Sequence, residues 1–445
     1  MPIKQVNSLQ YYLISFDSKG KERKDDPDGL ISSVILGDLA DNLITDVFLM
    51  SHGWMGDVPG AIEQYDKWIG AMAANQADID HMKQVRSEFR PLLIGIHWPS
   101  KPFGDEKLDS SISFDTSADS PVEQLIDQYA ERIADTEVAR DALRTIFASA
   151  MDNIAPDELP SEVRQAYEVL NQEAGLGYDG VGGAPGDDRD TFDPEAIFQM
   201  GAEQAEAVSF GIGDFFNSAF FDSLRTISFG ATKKLACKIG ESGMFELLQA
   251  LQQTAKKNVR FHLMGHSFGC VMMSASLAKL EPGKSINSLA LVQGALSLWS
   301  YCSKIPKVKD RVGYFHSILA DRKVTGLIIT TQSEHDTAIC RYYSLGSRVR
   351  GQIVYNTPGE LPRYGAIGEF GAHGPGVDPI NMQMLPANES YSFEAGKIYN
   401  LESSAFIRDD NANVLKRNTV GAHSDFDKPE VAHAIWSAAL GKTTK

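Results

Sequence analysis

Val259-Arg-Phe-His-Leu-Met-Gly265-His266-Ser267-Phe268-Gly269 is the stretch on which the reading of this chain turns. Its first half is short, mostly apolar and closed by glycine, the pattern of a buried strand. Its second half is G-x-S-x-G, and residues 270–280 continue as a helix rich in small side chains. A serine on a sharp strand-to-helix turn projects its hydroxyl away from the sheet, and glycine two residues to either side lets the strained turn pack closely. The N-terminus of the following helix favours negative charge developing beside that serine. Without the flanking strand and helix, the same five residues would read as a tight turn with an incidental serine.

Working outward, further short apolar runs suggest strands at 11–16, 46–50, 92–97, 259–264, 288–293, 326–331 and 397–401. Helical spacing alternates with them. Residues 61–74 place Ile62, Tyr65, Trp68, Ile69 and Met72 on one side, and 241–255 and 429–440 read likewise, the last opening on a proline suited to a first helical turn. Strands alternating with helices indicate an α/β protein with a largely parallel sheet. About 160 residues separate the strands at 92–97 and 259–264, far more than one crossover needs. This stretch opens with a polar run at 105–120. A helix start follows, with Ser120 as N-cap, Pro121 first and Glu123 at the capping-box position. Val122, Leu125, Ile126, Tyr129 and Ile133 then form an apolar stripe, a second helix is expected near 161–170, and 175–194 is a Gly/Asp-rich loop. The expected organisation is a core in two parts, 1–104 and 226–445, interrupted by a mainly helical insertion at 105–225 that serves as a lid or cap.

The net charge of −17 has one source. Residues 101–200 hold 23 acidic and 7 basic side chains, a balance of −16, which leaves 36 acidic and 35 basic over the other 345 residues. Such a block is ordinarily a solvated face or loop. A nucleic-acid partner is not expected, because phosphate binding requires a basic surface. Hydrophobic residues at 43% and charged residues at 23% are ordinary globular usage. No apolar run approaches the ~18 residues of a membrane span, so stable membrane insertion is not expected. The first residues lack the basic-then-apolar order of a signal peptide. Cys237, Cys270, Cys302 and Cys340 are scattered without metal or disulfide spacing, which fits a reducing, cytoplasmic setting.

With these elements in place, the chain resembles the α/β-hydrolase superfamily, and within it bacterial serine hydrolases of undefined substrate. The resemblance covers roughly residues 10–100 and 226–440 and rests on Gly265, His266, Ser267 and Gly269 in their strand–turn–helix setting. It implies a nucleophile, an acid and a histidine in that chain order, with Ser267 as nucleophile. The acid then falls after the strand at 326–331, in Gln332-Ser-Glu-His-Asp336. Asp336 is favoured over Glu334, and Ser333 stands where glycine is commoner. Both acids could instead cap a helix starting near Thr337. Three later histidines compete for the base. His433 sits within the final helix, His373 lies in a Gly-rich stretch and could line the pocket, and His423 follows the last strand in Gly421-Ala-His-Ser-Asp-Phe. The resemblance favours His423 as base, oriented by Asp336. It also implies an oxyanion hole from the backbone N–H of Phe268 and of Trp54, in the loop Ser51-His52-Gly53-Trp54-Met55. His52 would brace that loop rather than transfer protons. His52, Gly53, Met55, Phe215, Phe216 and His373 are candidates for the substrate pocket.

Six phenylalanines crowd residues 210–229 and read either as an apolar acyl-binding wall or as a helix packed on its core. The acidic loop at 186–193 lacks the glycine and final glutamate of a calcium loop, so no metal is expected. His262 alternates with apolar neighbours and reads as a hydrogen-bonded core histidine. The function expected is a cofactor-independent serine hydrolase that cleaves a small acyl ester through an acyl-enzyme. A peptidase or amidase on the same triad, or a non-catalytic binding protein on the same fold, are the alternatives.

Overall fold

Strands that are buried on both faces must lie at the centre of a sheet covered by helices, and four strands here are buried along nearly their whole length. A computed structural model describes residues 3–24, 29–41, 43–54, 58–100, 121–152, 157–204, 219–336, 338–339, 361–408 and 421–441. Its strands are β1 (Ile3–Val6), β2 (Leu9–Ser15), β3 (Asp46–Ser51), β4 (Pro91–His97), β5 (Arg260–His266), β6 (Ile286–Val292), β7 (Val324–Gln332), β8 (Ile380–Gln383) and β9 (Ile398–Glu402). They form one nine-stranded sheet in the order β1-β2-β4-β3-β5-β6-β7-β9-β8. Among the described strands β1–β2 pair antiparallel, and the other strand pairings are parallel. This is an α/β fold with a mixed, mostly parallel sheet.

Chain-contact density divides the protein into two units, one of residues 1–100, 235–341 and 365–445, the other of 101–234 and 342–364. The first unit holds the sheet. Its helices Val58–Ala74 and Pro429–Leu440 bury Tyr65, Trp68, Ile69, Ile435 and Trp436 in a core shared with Phe48, Met50, Leu93, Met264 and Ile329. Trp436 meets Phe48 edge-on at 5.3 Å and donates its indole N–H to the Met72 carbonyl at 3.0 Å. Helix Phe268–Ala278 is buried along nearly all its length, as its small residues and methionines require. The second unit has its own core, built by Leu125, Ile126, Tyr129, Phe147, Tyr167 and Phe221. Phe220 and Phe221 belong to that core. Phe210, Phe215 and Phe216 lie outside the described residues. Asp188, in the acidic loop, is spent on a buried ion pair with Lys233 at 2.5 Å.

The seven expected strands are present, each end within two residues of its expected place. The edge strands β1 and β8 are not anticipated by the sequence reading, because both are four residues long and show little burial. Helix Gln76–Val85 also goes unread, since only Asp78, Ile79 and Met82 of its ten residues are buried. Ile31–Asp41 is obscured by Ser32, Ser33 and Gly37, poor helix formers that break the expected pattern. Among the described residues, no helix is long and apolar enough to cross a membrane.

Candidate active site

The chain leaves β3 for β4 on one side and later returns to β5 on the other, so the sheet has a topological switch point between β3 and β5. Open parallel sheets present their ligand crevice outside the carboxyl ends of the strands at such a point. Residues 51–54 and 265–269 stand at those two ends.

Ser267 adopts φ 54° and ψ −119°, a left-handed backbone that only a forced turn imposes on serine. Its N–H donates to the Val292 carbonyl, and its own carbonyl accepts the N–H groups of Cys270 and Ala295, each at 3.1 Å. These bonds lock the turn against the end of β6. The two glycines permit it: a Cβ on Gly265 would lie 2.5 Å from the Cys270 nitrogen, and one on Gly269 would lie 2.1 Å from the Ser51 carbonyl oxygen. The loop after β3 presses on the same turn, since a Cβ on Gly53 would stand 2.5 Å from Ser267 Cβ.

That loop is held from below. The Tyr65 hydroxyl accepts the His52 N–H at 2.9 Å and sits 2.7 Å from the Ile96 carbonyl, tying the ends of β3 and β4 together. His52 is fully buried and stacks on Trp98 at 5.8 Å, with rings 10° apart. Burial and the neighbouring His97 push its pKa down to about 3, so the ring is neutral. Its Nδ1–H donates to the Gly53 carbonyl at 2.8 Å. In a trans peptide the carbonyl and the following N–H point opposite ways, so this bond sets the direction of the Trp54 N–H. The Trp54 ring in turn meets Phe268 edge-on at 5.9 Å.

Asp336 and His423 form a buried pair, with His423 Nδ1 2.8 Å from Asp336 Oδ2. Because the carboxylate accepts, Nδ1 carries the proton and Nε2 is left as the basic nitrogen. Asp336 Oδ1 also accepts the Ile339 N–H at 3.2 Å, so the carboxylate caps the following turn as well as orienting the ring. Ser333 earns its place in this turn: its hydroxyl donates to the Ile407 carbonyl at 2.7 Å and accepts the His335 N–H at 3.1 Å. Glu334 is exposed. His423 lies on the short turn Gly421–Ser424, anchored by its peptide groups. The Ala422 N–H donates to the His335 carbonyl at 3.1 Å. The Ala422 carbonyl accepts from Gln293 Nε2 at 3.0 Å, and the His423 carbonyl accepts from His266 Nε2 at 2.8 Å. His266 is kept neutral by burial and by the adjoining His423, and its Nδ1 accepts from the Gln64 amide at 2.9 Å.

His373 is tied to its own loop, Nε2–H donating to the Phe370 carbonyl at 2.8 Å. His433 binds Asp78, away from these strand ends, at 2.8 Å. His262 lies between Ser288 Oγ at 2.8 Å and Asp46 Oδ1 at 3.1 Å, stacked on Phe48, as a core residue. Met55 lies outside the described residues. Gln64 and the bracing role of Gln293 escape the sequence reading. The available signal for Gln293 is a polar residue closing the apolar run of β6, a position that faces neighbouring strands. Among the described residues, no group of three or more His, Cys, Asp or Glu side chains is arranged to hold a metal ion. Comparison with family models, curated proteins and solved structures finds no match to this chain.

Proposed function

We propose that the protein is a serine hydrolase of the α/β-hydrolase type that cleaves carboxylic esters through an acyl-enzyme. The observation that carries this reading is the buried His423–Asp336 pair at 2.8 Å, on a turn hydrogen-bonded to the residue preceding the left-handed Ser267. The central strand order β2-β4-β3-β5-β6-β7 and the switch-point position support it. In this mechanism Ser267 Oγ attacks the ester carbonyl while its proton passes to His423 Nε2. Asp336 stabilises the imidazolium, and the N–H groups of Trp54 and Phe268 hold the oxyanion. Collapse of the tetrahedral intermediate breaks the ester C–O bond, and His423 returns the proton to the leaving alkoxide. Water then attacks the acyl-enzyme by the same route in reverse, releasing the acid and restoring Ser267. Cys237, Cys270 and Cys302 are buried and outside any disulfide, which supports a reducing, cytoplasmic setting.

A fluorophosphonate probe should label Ser267, located by peptide mass mapping, and Ser267→Ala should abolish labelling without unfolding the protein. An alanine variant that still labels and hydrolyses p-nitrophenyl esters at the wild-type rate would sink the proposal. Esters of graded chain length, run beside aminoacyl anilides, decide between esterase and amidase.

A further inference from the structure

We infer that Gln293 is a positioning residue that uses a single side-chain amide to hold the acid and the base-bearing turn in register. The inference rests on the hydrolase reading above. Gln293 directly follows β6, the strand between β5, which leads into Ser267, and β7, which leads toward Asp336. Its Nε2 lies 3.1 Å from Asp336 Oδ2 and 3.0 Å from the Ala422 carbonyl oxygen, so its two amide hydrogens serve two acceptors. Asp336 Oδ2 is the same oxygen that accepts from His423 Nδ1. The amide has one chemically sensible orientation here, because turned over it would set its oxygen against a carboxylate and a carbonyl.

Two unfavourable features mark the position. Gln293 Oε1 is buried with no hydrogen-bond partner among the described residues. The backbone stands at φ 45°, which a residue with a Cβ adopts only when its surroundings enforce it. Those surroundings are present: its N–H donates to Thr331 Oγ1 of β7 at 2.9 Å, and Gly368 is so close that a Cβ there would lie 2.7 Å from the Gln293 carbonyl carbon. A strained, half-satisfied polar residue persists where its remaining contacts are needed.

Those contacts have a chemical consequence. The amide fixes which lone pairs of Oδ2 face His423, and it draws negative charge away from that oxygen. Without it the carboxylate turns more freely and is a stronger acceptor toward the imidazolium, which keeps the base protonated to higher pH.

The test uses Gln293→Met, which matches the side chain's length but donates nothing, and Gln293→Ala, which removes the amide altogether. The first readout is the pH dependence of Ser267 labelling by the fluorophosphonate. The second is the titration of His423, followed by NMR of ¹⁵N-labelled histidine in a Ser267→Ala background. Gln293→Met should lower the labelling rate about tenfold at neutral pH, the scale of one lost hydrogen bond to a charged group. In both variants the acidic limb of the rate profile and the His423 titration should move to higher pH. Wild-type labelling with an unmoved limb in folded Gln293→Met overturns the inference. Should that variant not fold, an unmoved His423 titration in Gln293→Ala overturns it equally. A wild-type protein that never labels at Ser267 removes the hydrolase reading, while the His423 titration still decides whether Gln293 tunes the pair.

Discussion

Gly53→Ala probes the loop after β3, the proposed oxyanion loop, at its tightest point. The added Cβ would stand 2.5 Å from Ser267 Cβ, 3.0 Å from the His266 carbonyl oxygen and 3.1 Å from His266 Nδ1. Non-bonded carbons settle about 3.5–4.0 Å apart, so relief requires a retreat of about 1 Å or more. Ser267 cannot supply it, because its turn is bonded to Val292, Cys270 and Ala295. The loop must move instead, and the Trp54 N–H moves with it. A donor that starts at about 2.9 Å from an oxyanion and withdraws by about 1 Å is no longer hydrogen-bonded. Loss of one such donor lowers kcat by about 10²–10³-fold. Steady-state hydrolysis of p-nitrophenyl esters measures the loss, and thermal unfolding run in parallel shows that the fold survives. Gly37→Ala is the control, since Gly37 lies in helix Ile31–Asp41 and a Cβ there meets nothing within 4 Å. It should raise stability by about 0.5–1 kcal/mol and leave kcat alone. A folded Gly53→Ala protein with wild-type kcat would refute the placement of Trp54 in the oxyanion hole.

Two further outcomes follow from the same geometry. Ser267→Ala and His423→Ala should each lower kcat by about 10³-fold or more, and the double variant should lose little beyond either; losses that multiply would show that the two do not act as one unit. His433 offers a stability test: its Nδ1 meets both Asp78 oxygens at 2.8 and 2.9 Å, and its Nε2 meets the Glu389 carbonyl at 2.6 Å. Burial disfavours its charged form, but Asp78, the Glu389 carbonyl and Glu430 together outweigh that and raise its pKa above the ordinary value. A raised folded pKa stabilises fully below the unfolded value of about 6.5 and loses that contribution as pH climbs through the folded one. The Tm difference between wild type and His433→Gln should therefore be largest below that pH and shrink above it; a difference independent of pH contradicts the pairing.

What the sequence reveals about this protein divides along a physical line. β3, β4, β5 and β6 are legible because burial on both faces demands continuous apolar runs, and each run is closed by turn residues. β8 is illegible for the opposite reason, since an exposed four-residue edge strand needs no pattern. Nor could chain order announce that β9 inserts between β7 and β8. At the site, Ser267, Asp336 and His423 each stand out by residue type and by following a strand. The partners of those residues do not. Gln64 meets His266 across 202 residues of sequence, and Gln293 meets Ala422 across 129, contacts that exist only because particular strands are neighbours. Glutamine carries no motif, and its role is set by whatever acceptor the fold brings within reach.

The turn that bears His423 is gripped through the N–H and carbonyl of Ala422 and the carbonyl of His423, all of them main-chain groups. A grip of this kind is blind to side-chain identity but not to residue count. Exposed Ser424 is therefore free to drift in sequence. Deleting or inserting one residue between Gly421 and His423 would offer each donor the wrong carbonyl and swing the imidazole off Asp336. An exposed position of this turn can change its residue, yet the turn cannot change its length without parting His423 from Asp336.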